Sequence, residues 1–391
     1  MLNRRILRVK AMQALYSYFL AQGSLQKVIN EQLESHYYPD PAKDDFADSD
    51  LFTARRKSAS KLYNESLAQG KLGDIEDVDE DVVDNVQIHI DKYHTELEKE
   101  SRAIERSMLQ DVEELETAYL KLVQLAVEFA FIEKQEKEKK QNAHIYKESK
   151  WKYHFIDNPI IDDLTKFEAF NNLIINHKVS WQSDYDVIKT WYKDILQKDE
   201  TLIAYQALES PTAEEHKDAV VYLFKKIIFK NEVIADHLGS IDLHWIENQP
   251  ILKSLVVKTF QEYEGDLDEP FELKEVSKNE EEDIDFFKKL FKETLKNEKR
   301  LDEIIAKRTK NWDISRVALT DRIILRMSLA EMMSFHSIPV KVTINEFIEI
   351  SKNYSTPKSK QFINGILDVL ANELTSEGVI RKSGRGLIDN K

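Results

Sequence analysis

Backbone breakers are scarce in this chain: nine glycines and eight prolines in 391 residues. Sheets need a tight turn every few residues, and those turns draw on glycine and proline. Such scarcity predicts long helices and few connections. The apolar spacing agrees. Leu7, Ala11, Ala14, Leu15 and Tyr18 recur at helical intervals, and so do Leu109, Val112, Leu115, Tyr119, Leu122, Val123, Ala126 and Phe129. The expected fold class is all-α. No apolar run reaches the roughly 18 residues that a membrane helix requires. Arg4, Arg5, Arg8 and Lys10 interrupt the first ten residues, unlike a secretory leader. A cytoplasmic protein with no membrane partner is expected.

Cysteine is absent, which excludes disulfides, thiolate metal sites and cysteine nucleophiles together. No phosphate-cradling glycine loop and no paired histidine spacing for zinc occurs, so neither an enzyme nor a cofactor is expected. The net charge of −15 argues against nucleic-acid binding until its distribution is followed. Residues 1–30 hold five basic side chains and no acid, and residues 307–391 hold fourteen basic and nine acidic ones. The middle carries the whole acidic excess. If the two ends fold together, they make a basic face that the total conceals.

Along the chain, residues 4–22 read as an amphipathic helix ended by Gly23-Ser24, with a second helix to about Tyr38. Residues 39–90 read as a flexible acidic insertion with one short helix around 51–69. Its carboxylates lack the glycine and terminal glutamate of a calcium loop. Residues 91–280 read as a helical insertion, and the charge run Glu133–Lys140 within it as a solvated helix face. A weak repeat follows: Asp218, Leu223, Phe224, Lys225, Asn231, Glu232 and Trp245 match Asp285, Leu290, Phe291, Lys292, Asn297, Glu298 and Trp312, with a one-residue shift at the Asn-Glu pair. A fainter copy begins at Asp186. The tryptophans read as anchors of helix hairpins, with stacking on bases as the other possibility. Residues 281–376 form a C-terminal helical subdomain, and 377–391 a disordered basic tail.

That subdomain is the informative part. Ala318–Phe335, Val340–Asn353 and Pro357–Leu374 each carry a helical apolar stripe, the last with Thr356 as N-cap and Pro357 in its first turn. Gly365 inside it suggests close helix–helix approach. Arg4, Arg5 and Arg8 share one flank of the first helix and suit phosphates and base edges. The helix start near Lys358, Ser359 and Lys360 suits an anion. Phe362 suits either an unpaired base or the core.

These residues carry a resemblance. The run from Arg4 to Tyr16, ending Gln13-Ala14-Leu15-Tyr16, resembles the start of the NusB antitermination factors. Asp321–Arg326, Ile338–Glu346 and Ser359–Asp368 resemble that family's C-terminal motifs, the last two as Pro-x-Lys-Val-x-Ile-Asn-Glu and Phe-x-Asn-Gly-x-Leu-Asp. The resemblance covers roughly residues 1–22 and 285–374. It implies a NusB-like helical domain split by a large helical insertion, as in the long form of the Bacteroidetes type.

The resemblance further implies a transcription antitermination factor that binds boxA-type single-stranded RNA. Its partners would be a NusE-type small-subunit ribosomal protein and the RNA polymerase antitermination complex, with ribosomal RNA synthesis promoted. The RNA-binding set would be Arg4, Arg5, Arg8, Gln13, Tyr16, Lys358, Ser359, Lys360 and Phe362. The ribosomal protein would meet Asp321, Arg322, Arg326 and Glu331, although Arg326 and Glu331 equally suit a local helix pair. The competing function is a helical protein-interaction adaptor working through the acidic insertion with little RNA binding. RNA cytosine methyltransferases that carry such a domain need a cysteine nucleophile, which this chain lacks.

Overall fold

A computed structural model describes residues 4–39, 49–73, 78–142, 151–264, 271–277, 279–308 and 317–390. The described residues form fifteen α-helices and no strand, as the breaker count requires. They are α1 (Arg4–Ser35), α2 (Ser49–Gln69), α3 (Glu80–Asn142), α4 (Pro159–Lys166), α5 (Glu168–Asn176), α6 (Tyr185–Asp194), α7 (Glu200–Gln206), α8 (Ala213–Tyr222), α9 (Glu232–Ile241), α10 (Trp245–Gln261), α11 (Glu280–Lys296), α12 (Glu298–Arg308), α13 (Leu319–Ser334), α14 (Val340–Tyr354) and α15 (Ser359–Ser376). Trp312, Ser315, Pro270 and the acidic positions Asp40 to Asp48 lie outside the described residues. No described helix is long and apolar enough to cross a membrane.

The chain divides into two compact units. One, here the middle unit, takes residues 1–7 with 110–283; the other, the paired-ends unit, takes 8–109 with 284–391.

In the paired-ends unit, α1 runs straight through Gly23. A mid-helix glycine costs about 1 kcal/mol. Burial on both sides of it offsets that: Leu15 and Phe19 before, Ile29 and Leu33 after. The second half of α1 joins α2 and the start of α3 in one apolar cluster built on Leu33, Ala59, Leu62, Tyr63, Val86 and Ile90. Each element supplies residues three and four apart, so the stretch read from sequence as flexible contains a packed helix. Gly70, at φ 72, closes α2 in a conformation that a side chain would strain.

Helix α13 is the centre of the C-terminal part. Nearly every residue from Ile323 to Met332 is buried, as expected of a helix packed on all sides. It carries three buried charged residues, and each is matched. Arg8 (2% exposed) makes two hydrogen bonds to Glu331 (0%), at 2.6 and 2.7 Å. Thr343 donates to the same carboxylate at 2.7 Å, and the Arg8 guanidinium lies over the Phe286 and Phe347 rings. Arg326 (1%) pairs with Asp302 through Nε at 2.6 Å and with Glu298 at 3.1 Å, over the Phe19 ring. The two ends of the sequence are thus joined by a buried ion pair 323 residues apart.

Three expectations meet a different outcome here. Gly365 does not mark a close approach, because a Cβ there would meet open space. Gly365→Ala is expected to raise the urea midpoint, by up to about 1 kcal/mol of stability. Val342, one of the apolar residues of the Val340–Asn353 segment expected to supply burial, is exposed. The segment after α15 packs: Ile380 is 3% exposed and Lys382 Nζ donates to the Phe335 carbonyl at 2.9 Å.

In the middle unit the described tryptophans (151, 181, 191 and 245) are all buried. Trp245 stacks on Phe229 at 5.9 Å and Trp191 meets Trp181 edge-on at 6.0 Å. Packing therefore accounts for them. Between α8 and α9, Leu223–Ile228 form a π-type turn, in which Phe229 N–H donates to Phe224 O at 3.2 Å. This wide turn absorbs the extra residue that separates Phe224 from Asn231 compared with Phe291 from Asn297. Asn231 then caps α9 through Val233 N–H and Ile234 N–H.

Glu133 corrects the reading of its charge run. It is 0% exposed. Its carboxylate accepts from Trp151 Nε1 (2.8 Å), Gln206 Nε2 (3.0 Å), Tyr192 hydroxyl (3.1 Å) and the Phe155 and Ile156 amides (2.8 and 3.2 Å). Burial pushes the carboxyl up to about 7, against these hydrogen bonds, which pull it down.

Candidate nucleic-acid interface

The start of α15 is shaped by one buried carboxylate. Asp321, in the first turn of α13, accepts from Ser359 Oγ at 2.7 Å and from Ser355 Oγ. Thr356 Oγ1 pairs with Ser359 Oγ at 2.8 Å, so it is not free to cap the helix. The helix therefore begins at Ser359, two residues later than Pro357, and no side chain caps its first amides. Asp321 ties the turn 355–359 to the most buried helix of the unit.

On that pinned turn Lys358 and Lys360 are exposed. Neither makes an ion pair among the described residues. Two free ammonium groups beside an uncapped, positively polarised helix start make an anion-attracting surface. Ser359, also expected to contact RNA, is 5% exposed and turned to Asp321, which gives it a holding role. Phe362 is half-buried. Gly365, one turn further along, adds no bulk to the open face.

The α1 residues separate. Tyr16 is 39% exposed and Gln13 half-buried. Arg8 is inside, committed to Glu331, and its guanidinium cannot reach a phosphate without abandoning a buried carboxylate. Its position signals this: Arg8 stands three, four and seven residues before Ala11, Met12 and Leu15, within the apolar stripe. Arg4 and Arg5 belong to the middle unit, are half-buried, and Arg4 pairs with Glu282. The structure thus gathers Lys358, Ser359, Lys360 and Phe362 in one turn, and Asp321 with them.

Of the four residues expected to meet a ribosomal protein, Asp321, Arg326 and Glu331 are buried and spent on internal partners. Arg326 and Glu331 do not pair with each other. Arg322 alone keeps accessible surface. Sequence reasoning missed Thr343 and Glu346, which complete the Arg8 site, Glu346 at 3.9 Å. Both lie inside the quoted motif Ile338–Glu346, so part of that motif serves the buried pair. No cluster of three metal-ligating side chains occurs among the described residues.

A sequence model described as the NusB family matches residues 248–372. Two curated relatives are each 48% identical to this chain. The transcription antitermination protein NusB of Salinibacter ruber matches over 104 residues, 27% of this chain and 65% of that protein. That of Chloroherpeton thalassium matches over 105 residues, 27% of this chain and 50% of that protein. The chain thus spans between half and two thirds of the length of these relatives. No solved structure matches it.

Proposed function

We propose, from the match of residues 248–372 to the NusB family model and the similarity to two NusB proteins, that this chain is a non-enzymatic, cytoplasmic RNA-binding factor of transcription antitermination. Its ligand is boxA-type single-stranded RNA, taken with a NusE-type ribosomal protein into the RNA polymerase antitermination complex. The observation that carries the reading is the pinned start of α15, where Lys358 and Lys360 stand unpaired beside uncapped helix amides. A single strand can lay a phosphate there and a base against Phe362, with Gly365 leaving room.

The proposed site is therefore Lys358, Lys360, Phe362 and Tyr16, all in the paired-ends unit. Asp321 and Ser359 hold the turn. Arg8 supports α1 from within. Of the four α13 residues, Asp321, Arg326 and Glu331 act on the fold, so contact with the ribosomal protein falls to other exposed residues.

The test is binding of a boxA-type RNA across salt, with and without the ribosomal protein. For a single strand, each lost phosphate contact lowers the slope of log K against log salt by about 0.7. Lys358→Asp should lower it by about that amount, and the Lys358→Ala, Lys360→Ala pair by about twice as much. An unchanged slope in both removes this turn from the site. Equal affinity for boxA-type and scrambled RNA in the presence of the ribosomal protein would favour the adaptor reading.

A further inference from the structure

The paired-ends unit contains a cavity of about 830 Å³ bounded by α1, α2, the first part of α3, α12 and the start of α13. Ligand sites commonly measure roughly 300–1,000 Å³. Its lining includes two cations, Arg322 and Lys299, and not one aspartate or glutamate, in a chain of net charge −15.

Neither cation has a carboxylate within ion-pair distance among the described residues, although the Glu298 carboxylate acts on Arg322 from further off. Arg322 Nε is buried and has no hydrogen-bond partner. Lys299 makes no ion pair among the described residues. Glu298, beside Lys299 in sequence, is already paired with Arg326 at 3.1 Å. A buried guanidinium nitrogen left without an acceptor is costly, and an anion in the cavity would remove that cost. The remaining wall is aromatic, with Tyr18 edge-on to Phe19 at 82° and Tyr93 beside them, backed by Leu67 and Leu97. The Gln22 amide and the His94 ring add polar edges. A bare anion would satisfy the cations and leave the aromatic wall wet. A flat apolar ligand would do the reverse.

We propose that this cavity is a binding site for a free nucleoside phosphate, with the phosphate on Arg322 and Lys299 and the base against the Tyr18, Phe19 and Tyr93 wall. Arg322 thereby gains a role that burial denies to Asp321, Arg326 and Glu331. The site lies apart from the α15 turn in sequence and uses none of its residues. Neither proposal depends on the other.

The test is calorimetric titration of the full chain with the four ribonucleoside 5′-monophosphates and 5′-diphosphates, and separately with inorganic phosphate and the free nucleosides. At least one nucleotide should bind, and at least ten-fold more tightly than phosphate or its own nucleoside. Arg322→Gln should weaken that binding at least ten-fold. Lys299→Glu, at an exposed position, should weaken it several-fold without altering thermal unfolding. It decides the matter if Arg322→Gln does not fold. Lys358→Asp should leave nucleotide binding unchanged. Three results would overturn the proposal: no binding by any nucleotide, phosphate binding as tightly as the nucleotides, or indifference to Lys299→Glu. Displacement of the nucleotide by boxA-type RNA would also overturn it, by making the cavity part of the RNA site.

Discussion

Arg8→Ala is expected to destabilise the paired-ends unit by about 3–5 kcal/mol, because it leaves the Glu331 carboxylate buried without its cation. Thr343 would remain as a donor to one oxygen, which is too little for a charge at 0% exposure. Urea denaturation followed by circular dichroism should show the loss as a lower midpoint. Replacing both partners, Arg8→Met with Glu331→Leu, should recover most of it, since neither charge is then buried alone. RNA binding separates this role from an RNA contact. Measured on the folded fraction, Arg8→Met with Glu331→Leu should keep the wild-type salt slope. A slope lower by about 0.7 would return Arg8 to the phosphate backbone.

Glu133→Ala is expected to cost the middle unit about 4 kcal/mol. Trp151, Tyr192, Gln206 and two backbone amides lose their common acceptor, and an orphaned buried donor costs about 1–3 kcal/mol. The loss should depend on pH. The folded carboxyl titrates near 7, above its usual value of 4.5, so the folded state holds the proton more tightly than the unfolded chain. Stability from this group is then greatest below the unfolded value and falls as pH rises through the interval up to about 7, by roughly 3 kcal/mol in total. The cost of Glu133→Ala should accordingly be larger at pH 5 than at pH 8. Tryptophan fluorescence in urea can follow it, since Trp151, Trp181, Trp191 and Trp245 all belong to this unit. Equal costs at the two pH values would mean that the carboxyl is charged at both.

These two residues also mark the limit of what spacing reveals. Helices α13, α14 and α15 were legible because their apolar residues recur at three and four and their connections carry Pro339 and Pro357. The end-to-end association was legible in the charge distribution and in the motifs at both ends. Periodicity says which side of a helix faces inward, but it does not name what stands opposite. Arg8 lay in the stripe, yet its partner is 323 residues away. Glu133 sat in a run of alternating charges, where only the incoming Trp151, Tyr192 and Gln206 make one carboxylate an interior residue. The candidate site was half legible. Lys358 and Lys360 followed from the helix-start signal. Ser359 was turned inward by Asp321, 38 residues earlier, a pairing no local pattern encodes. The cavity around Arg322 draws on five helices, and so it has no signature along the chain.

The π-type turn at Leu223–Ile228 has a consequence for how such helices change length. One residue added to a helix interior rotates everything beyond it by about 100° and would carry an apolar stripe off its partner. A single wide turn swallows the addition locally, so Phe224 and Ile227 before its end and Phe229 just after it are all buried. The spacing from Asp218 to Trp245 remains equal to that from Asp285 to Trp312. The first copy thus carries its extra residue while Trp245 stays stacked on Phe229. Deleting Lys226 should shorten the turn to ordinary α geometry and give the first copy the second's spacing between its Phe and Asn.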